Sequence, residues 1–236
     1  MNCAHCLRGE SENKDMPPEV MKKALKLFDN IRSITFTGGE PSLNVPLIEL
    51  TLQELRQRDK YLESFFIATN GKENVDELLA ACDKLYLYCK QCTEIDHVTP
   101  ENIRYVIKDL FPHNEEDLCA LALSVDQYHE LPSMENIIKL VSRSYFSDAK
   151  VQEFSKKYPV IRSGRALMLA SDMTRGRIIT SFATYDEETF ETIYINVDGE
   201  VISDCDTDYA NQASQSCGNV MDNDIEEMLH ELLTQP

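Results

Sequence analysis

The sequence lacks any apolar run that could span a bilayer, although apolar residues make up 42% of its 236 positions. Its first residues combine no basic stretch with an apolar one, so they do not have the composition of a secretory signal. We therefore expect a cytoplasmic protein without membrane spans. In that reducing compartment its 8 cysteines would be thiols or metal ligands rather than disulfides.

Basic residues are also scarce, with 23 lysines and arginines against 41 acidic residues and a formal net charge of -18. Such a surface repels nucleic-acid backbones, and the densest basic segment, residues 162–177, contains only four arginines. That segment is consistent with a solvated turn as well as with an anion site. We expect peptides, proteins or small molecules as partners, and no nucleic acid.

Short β-branched or aromatic runs alternate with amphipathic helical patterns through the first half of the chain. The predicted strands cover residues 33–36, 65–68, 85–88 and 119–125. Helices are predicted before, between and after these strands, with Asn44 and Ser133 as two of the capping residues. Consecutive units of this kind give a parallel sheet, open or closed into a full or partial barrel, and ligands collect at the carboxyl ends of its strands.

The last third of the chain has a different pattern. Residues 192–203 predict a β-hairpin, because two β-prone runs flank Asp198-Gly199, a dipeptide typical of tight turns. A final helix is predicted from the apolar residues that share one face, which are Ile225, Met228, Leu229 and Leu232.

Two short motifs carry chemistry. In Cys3-Ala4-His5-Cys6 a tight turn lets both thiolates reach one metal or cluster, although zinc, redox and iron-sulfur roles all remain open for the motif alone. The second motif runs from a predicted strand into Gly38-Gly39-Glu40-Pro41. Its glycines let a ligand approach the backbone closely, and its carboxylate can accept from an ammonium group.

In this order and about 30 residues apart, the two motifs resemble those of the radical S-adenosylmethionine (SAM) superfamily. The resemblance implies a 4Fe-4S cluster and SAM as cofactors. Cys3 and Cys6 correspond to the second and third cysteines of the family's C-x3-C-x2-C cluster loop. The residues that correspond to its SAM-binding element, which contacts the methionyl amino group, are Gly38, Gly39, Glu40 and Pro41.

Shorter matches follow along the chain. Thr69-Asn70-Gly71, the segment from Ser124 to Asp126, and Gly164-Arg165-Ala166 resemble elements that line the family's cavity. The resemblance therefore implies that the cofactor-binding residues include Asn70, Ser124, Asp126 and Arg165. From their positions alone, the first three are equally consistent with strand-end caps.

The resemblance implies a partial (β/α)6 barrel over residues 1–180, lacking its first strand, and a small hairpin-and-helix extension over 181–236. The implied activity is reductive cleavage of SAM to a 5'-deoxyadenosyl radical that acts on a peptide or small-molecule substrate. A reductant protein such as a flavodoxin or ferredoxin is the implied partner. No residue is assigned a catalytic role, and both motifs are expected to face one pocket.

One departure from the family pattern is the first cluster cysteine, which would lie four residues before Cys3. With two thiolates a cluster would be absent or labile, and we expect a start codon assigned too late, which the upstream coding DNA would test. One alternative is a non-catalytic barrel that serves as a binding or scaffold module. Another is a zinc or dithiol protein that uses Cys3-Cys6 together with Cys89-Cys92.

The C-terminal extension resembles those of peptide-modifying members, some of which hold further clusters. It contains only Cys205 and Cys217, whereas a cluster usually requires four thiolates. We therefore expect the extension to be a structural cap.

Overall fold

The computed structural model describes residues 3–93, 119–125, 129–147, 150–151, 160–176, 181–186 and 189–234. The chain forms two compact units. The sheet unit comprises Phe28–Gln152, and the terminal unit comprises Met1–Leu27 together with Glu153–Pro236. Within the described ranges, no helix is both long and apolar enough to cross a membrane.

The helices and strands follow one another in an alternating order through the sheet unit, whereas short strands dominate the terminal unit. In chain order they are α1 Pro18–Lys26, β1 Asn30–Phe36, α2 Val45–Gln57, β2 Tyr61–Thr69, α3 Val75–Thr93, β3 Ala120–Val125, α4 Met134–Val141, β4 Lys150–Val151, β5 Val160–Ile161, β6 Thr174–Arg175, β7 Thr184–Asp186, β8 Thr189–Phe190, β9 Tyr194–Ile195, β10 Glu200–Ile202, α5 Tyr209–Gln212, β11 Ser216–Asn219 and α6 Ile225–Thr234. Short 3₁₀ turns cover Pro41–Asn44, Gly164–Met168, Ser171–Met173 and Ala213–Gln215.

The sheet unit is built on a parallel sheet with the strand order β1-β2-β3-β4. The register aligns Phe36 with Ile67 and Thr69 with Leu123, so the carboxyl ends of the first three strands share one edge. Leu62 and Phe65, on opposite faces of β2, are both fully buried, because both faces of a parallel sheet are covered. The prediction of an α/β fold with a parallel sheet is confirmed, whereas barrel closure stays a prediction.

The predicted strand over residues 85–88 is wrong, because this stretch belongs to α3. Apolar side chains at Leu78, Cys82, Leu85 and Cys89 recur at helical spacing and are all buried. Leu87 is 58% exposed, which is the outward position that a helix produces in a run of apolar residues. The apolar run therefore continues one long helical face.

Of the two predicted helix-capping residues, one caps its helix and the other does not. Ser133 caps α4 as predicted, since its side chain accepts from the backbone N–H of Asn136. Asn44 precedes α2 but makes no capping hydrogen bond with its side chain. A 3₁₀ turn precedes this helix instead, and Glu40 caps that turn. The helix predicted between residues 103 and 110 lies outside the described residues.

In the terminal unit, β9, β10 and β11 form an antiparallel sheet in the order β11-β10-β9. The predicted hairpin is confirmed, and Gly199 adopts a φ of 89° in its turn, a conformation that favours glycine. The predicted final helix is also confirmed as α6, which buries Ile225 and Leu229.

Candidate functional site

Glu40 joins the ends of two neighbouring strands. It follows β1, and its side chain is only 7% exposed. The hydroxyl of Thr69 donates to Oε1 at 2.6 Å, and the N–H of Asn70 donates to Oε2 at 2.9 Å. The N–H of Ser42 also donates to Oε1, at 3.2 Å. Both carboxylate oxygens are therefore bound within the chain, so Glu40 fixes the strand-end loops.

The backbone of the diglycine beside Glu40 borders open space. A Cβ atom built at Gly38 or at Gly39 would meet no heavy atom within 4 Å. Gly38 has a φ of 136°, which side-chain-bearing residues rarely adopt. The hydrogen bonds of the Glu40 side chain hold the backbone that directly follows the diglycine. The carbonyl and N–H groups of the diglycine are therefore fixed in position beside open space.

The Thr69-Asn70-Gly71 segment forms a second turn at the same edge. Asn70 is buried, and its Oδ1 accepts from the N–H of Lys72 at 2.8 Å. Gly71 has a φ of 69°, and its N–H donates to the Thr69 hydroxyl at 3.0 Å. These bonds are those of a strand-end cap, the alternative that the sequence left open for Asn70.

The third strand contributes Ser124, which is half-buried and pairs in register with Lys150 of β4. The structure therefore brings Glu40, Asn70 and Ser124 to one edge of the sheet. Asp126 lies outside the described residues. Whether these side chains hold a cofactor stays a prediction.

The two N-terminal cysteines lie in the terminal unit, in a turn that we call the thiol turn (residues 3–6). The N–H of Cys6 donates to the carbonyl of Cys3 at 3.2 Å. Both cysteines are half-buried, and neither forms a disulfide. The N–H of Arg165 donates to the Cys6 carbonyl at 2.9 Å, so this candidate residue is next to the thiol turn. Gly38–Pro41 belong to the other unit, and a common pocket stays a prediction.

The thiol turn fits an iron-sulfur cluster in the chemistry of its donors. Thiolates are the ligands that such clusters require, and the turn offers two at the spacing of a cluster loop. Each side chain retains partial access to solvent, which lets a cluster assemble. The residues present would hold two of the irons.

A second group of metal-ligand type lies in the terminal unit, where Asp204, Cys205 and Asp206 place one ligand atom each within 4.8 Å of one another. Burial raises the pKa of Cys205, and the neighbouring Asp206 raises it further, whereas Arg8 lowers it. Burial likewise raises the pKa of Cys217. That the extension serves as a structural cap stays a prediction.

Three of the four cysteines in the sheet unit are buried, and Cys92 is half-buried. The Cys89 thiol is hydrogen-bonded to that of Cys119, and this bond together with burial raises its pKa. Burial also raises the pKa of Cys92, and that of Cys82 to about 12. The predicted C-x2-C pair at Cys89 and Cys92 lies on a helix rather than after a strand, and its first thiol is in the core.

This division of the thiols predicts selective alkylation. In the native chain at pH 8, iodoacetamide should label Cys6, which is half-exposed, and leave Cys82 and Cys89 unlabelled. With a pKa of about 12, only about one Cys82 thiol in 10⁴ is ionised at that pH. Peptide mass spectrometry after native labelling and after labelling in urea would measure this. Equal labelling of Cys82 and Cys6 in the native chain would contradict the burial described above.

Sequence reasoning missed Arg8, which is 7% exposed and lies two positions beyond Cys6. Its Nη1 donates to the Thr207 carbonyl at 3.1 Å, a contact between residues 199 positions apart. The only feature of the sequence that could have indicated Arg8 was its position close to the Cys3–Cys6 motif.

Comparison with known proteins agrees with the two motifs. The model of the Radical SAM superfamily matches residues 1–89. The uncharacterized protein MJ0907 of Methanocaldococcus jannaschii is 44% identical over 52 residues, which are 21% of this chain and 18% of that protein. The chain thus aligns with less than a fifth of that relative, and no solved structure matches it significantly.

The matched region contains the thiol turn, the diglycine with its Glu40 contacts, and the Thr69-Asn70-Gly71 turn. Over residues 1–89, which are less than half of its length, the chain is thus similar to the radical SAM superfamily.

Proposed function

We propose that this chain binds a 4Fe-4S cluster through Cys3 and Cys6, and SAM through Gly38–Pro41, for radical chemistry on a peptide or small-molecule substrate. The observation that carries the proposal is the diglycine backbone, which is open to a ligand and fixed by the buried Glu40 carboxylate. When bound, the cluster supplies the electron for reductive cleavage of SAM.

The chain's own residues have distinct roles in this proposal. The open backbone at Gly38 and Gly39 would bind the methionyl amino group, and Glu40 would act indirectly by holding that backbone. Asn70 and Ser124, at the same edge of the sheet, would orient the remainder of SAM. The acidic surface of the chain favours substrates other than nucleic acids.

An anaerobic reconstitution with ferrous iron and sulfide tests the proposal. The mixture should contain 2-mercaptoethanol, because an added thiolate can ligate an iron that the thiol turn leaves open. The wild-type chain should show the broad visible absorption of a 4Fe-4S cluster. Cys6→Ser should lower bound iron by about tenfold or more, since it removes one of two thiolates. Cys217→Ser, the matched control, should bind iron like the wild type.

A second variant separates SAM binding from cluster binding. Gly39→Val adds a side chain where there is open space, so the chain should fold and keep its iron. The same side chain would block close approach to the backbone, and SAM affinity measured by calorimetry should fall by about tenfold or more. Equal SAM affinity in wild type and Gly39→Val would count against the assigned site.

The same preparations decide between the alternatives. Stoichiometric zinc that is lost in both Cys6→Ser and Cys92→Ser would support the zinc or dithiol protein. A folded chain that takes up neither iron nor SAM would support the scaffold module.

A further inference from the structure

We propose that Arg8 and the C-terminal extension position the thiol turn for cluster binding, so that iron retention depends on residues more than 180 positions from the cysteines. This inference rests on the proposed function. It makes Arg8 a positioning residue, because it acts on the backbone that carries Cys6 and does not itself bind iron.

Arg8 joins the segment after Cys6 to the extension through three contacts. Its Nη1 donates to the carbonyl of Thr207 at 3.1 Å. Its guanidinium carbon lies 4.6 Å from the centre of the Tyr194 ring, which is a cation–π contact. Its own carbonyl accepts from the N–H of Tyr209 at 3.0 Å. A charged side chain that is 7% exposed therefore depends on the extension for its partners.

The Gly164-Arg165 segment also contacts the backbone that follows the thiol turn. The N–H of Arg165 donates to the Cys6 carbonyl at 2.9 Å. At Gly164, a Cβ atom would lie 2.4 Å from both the Leu7 carbonyl oxygen and the Gly9 nitrogen. These are backbone atoms that cannot rotate away, and the φ of 53° at this residue also favours glycine. The Gly-Arg-Ala element is thus fitted against the backbone that follows the thiol turn.

The partners of Arg8 are themselves fixed by buried polar contacts. Thr207 is fully buried, and its carbonyl also accepts from Nε2 of Gln212 at 3.2 Å. Oε1 of Gln212 accepts in turn from Nδ2 of Asn196 at 2.9 Å. Asn196 belongs to the turn of the β9–β10 hairpin, so the contacts run continuously from that hairpin to Arg8.

The contacts of Arg8 and of the Gly-Arg-Ala element point to a role in metal binding because of the backbone that they reach. They meet the backbone of residues 6–9, which begin at a proposed iron ligand. A ligand on a fixed backbone loses less conformational freedom when it binds, and residues that orient a ligand typically alter metal affinity by about 10- to 100-fold. The extension assigned as a cap thus becomes part of the cluster site.

The test uses substitutions that each remove or keep a particular contact of Arg8. Tyr194→Leu removes the ring beneath Arg8, whereas Tyr194→Phe keeps it. Arg8→Lys keeps the charge but loses the planar group that spans Thr207 and Tyr194. Lys14→Met is the matched control, because Lys14 also links the N-terminal segment to the hairpin, through an exposed ion pair with Asp198.

Two readouts are required, both on the full chain. In reconstituted protein, Tyr194→Leu and Arg8→Lys should lose iron to a chelator about tenfold faster than wild type, with Tyr194→Phe and Lys14→Met within about twofold. In the iron-free protein, the amide of Tyr209 should exchange hydrogen about tenfold faster in Tyr194→Leu and Arg8→Lys only.

The outcomes separate this inference from the proposed function. A wild-type chain that takes up no iron overturns both. A wild-type chain that holds iron, with Arg8→Lys and Tyr194→Leu retaining it equally long, overturns the positioning role alone. Faster iron loss in Tyr194→Phe, which keeps the ring contact, would also overturn it.

Discussion

Replacing Glu40 with alanine is expected to lower the free energy of unfolding of the sheet unit by about 4 kcal/mol. The substitution leaves the Thr69 hydroxyl and the backbone N–H groups of Asn70 and Ser42 without the carboxylate that accepts from them. A buried donor left without a partner costs about 1–3 kcal/mol, and three neighbouring losses do not add fully. Glu40→Gln keeps two acceptor sites on one oxygen and should lose about half as much.

The measurement is urea unfolding combined with hydrogen exchange at the Asn70 amide. Exchange at that amide should accelerate in Glu40→Ala, because its acceptor is gone. The control is Glu49→Ala, since Glu49 is 48% exposed and pairs with Lys84 on the surface. Its removal should change stability by less than about 0.5 kcal/mol. Equal stability of Glu40→Ala and Glu49→Ala would mean that Glu40 does not hold the strand ends.

This expectation depends on the structure, because the sequence alone led to a different role for Glu40. The string Gly-Gly-Glu-Pro correctly indicated a strand end, and it suggested that the carboxylate would bind an ammonium group. Two of the three partners of Glu40, Thr69 and Asn70, are about 30 residues away at the end of the next strand, and local patterns do not show such pairings. The sequence thus indicated where the first strand ends, but it did not indicate the hydrogen bonds that Glu40 makes there.

The periodicity of apolar residues located most strands of the sheet, but it did not distinguish a buried strand from a buried helix. It located β1, β2 and β3, because short apolar runs were bounded by polar residues and glycines. It failed at residues 85–88, where a run of apolar and aromatic residues suits a buried strand as well as a helix. The buried faces of Cys82 and Cys89 on either side show that the helical period continued through the run.

The longest-range contacts were beyond any sequence pattern. Arg8 and Thr207 are 199 positions apart, and neither residue type is unusual in its surroundings. The Gly-Arg-Ala element was noticed as a motif, yet its fit against residues 6–9 is a matter of backbone distances. Contacts of this kind depend on how the chain folds back on itself, which composition and spacing do not encode.

Replacing Gly71 with alanine is expected to destabilise the sheet unit by about 3 kcal/mol. Its φ of 69° is costly for any residue with a Cβ atom, by about 1–2 kcal/mol. The new Cβ would also lie 2.9 Å from Cδ1 of Leu123 and 2.9 Å from Cδ1 of Leu140. Both leucines are buried, so neither can turn into solvent, and overpacking of this kind costs about 1–3 kcal/mol.

Gly39→Ala is the matched control for this substitution, because a Cβ at Gly39 meets nothing within 4 Å. In urea unfolding the control should stay within about 0.5 kcal/mol of wild type, whereas Gly71→Ala should shift the midpoint clearly. The two glycines belong to neighbouring turns at one edge of the sheet, yet a Cβ atom would meet core side chains at Gly71 and open space at Gly39. If Gly71→Ala were as stable as Gly39→Ala, the turn after β2 would not be held against Leu123 and Leu140, and its place in the site would be wrong.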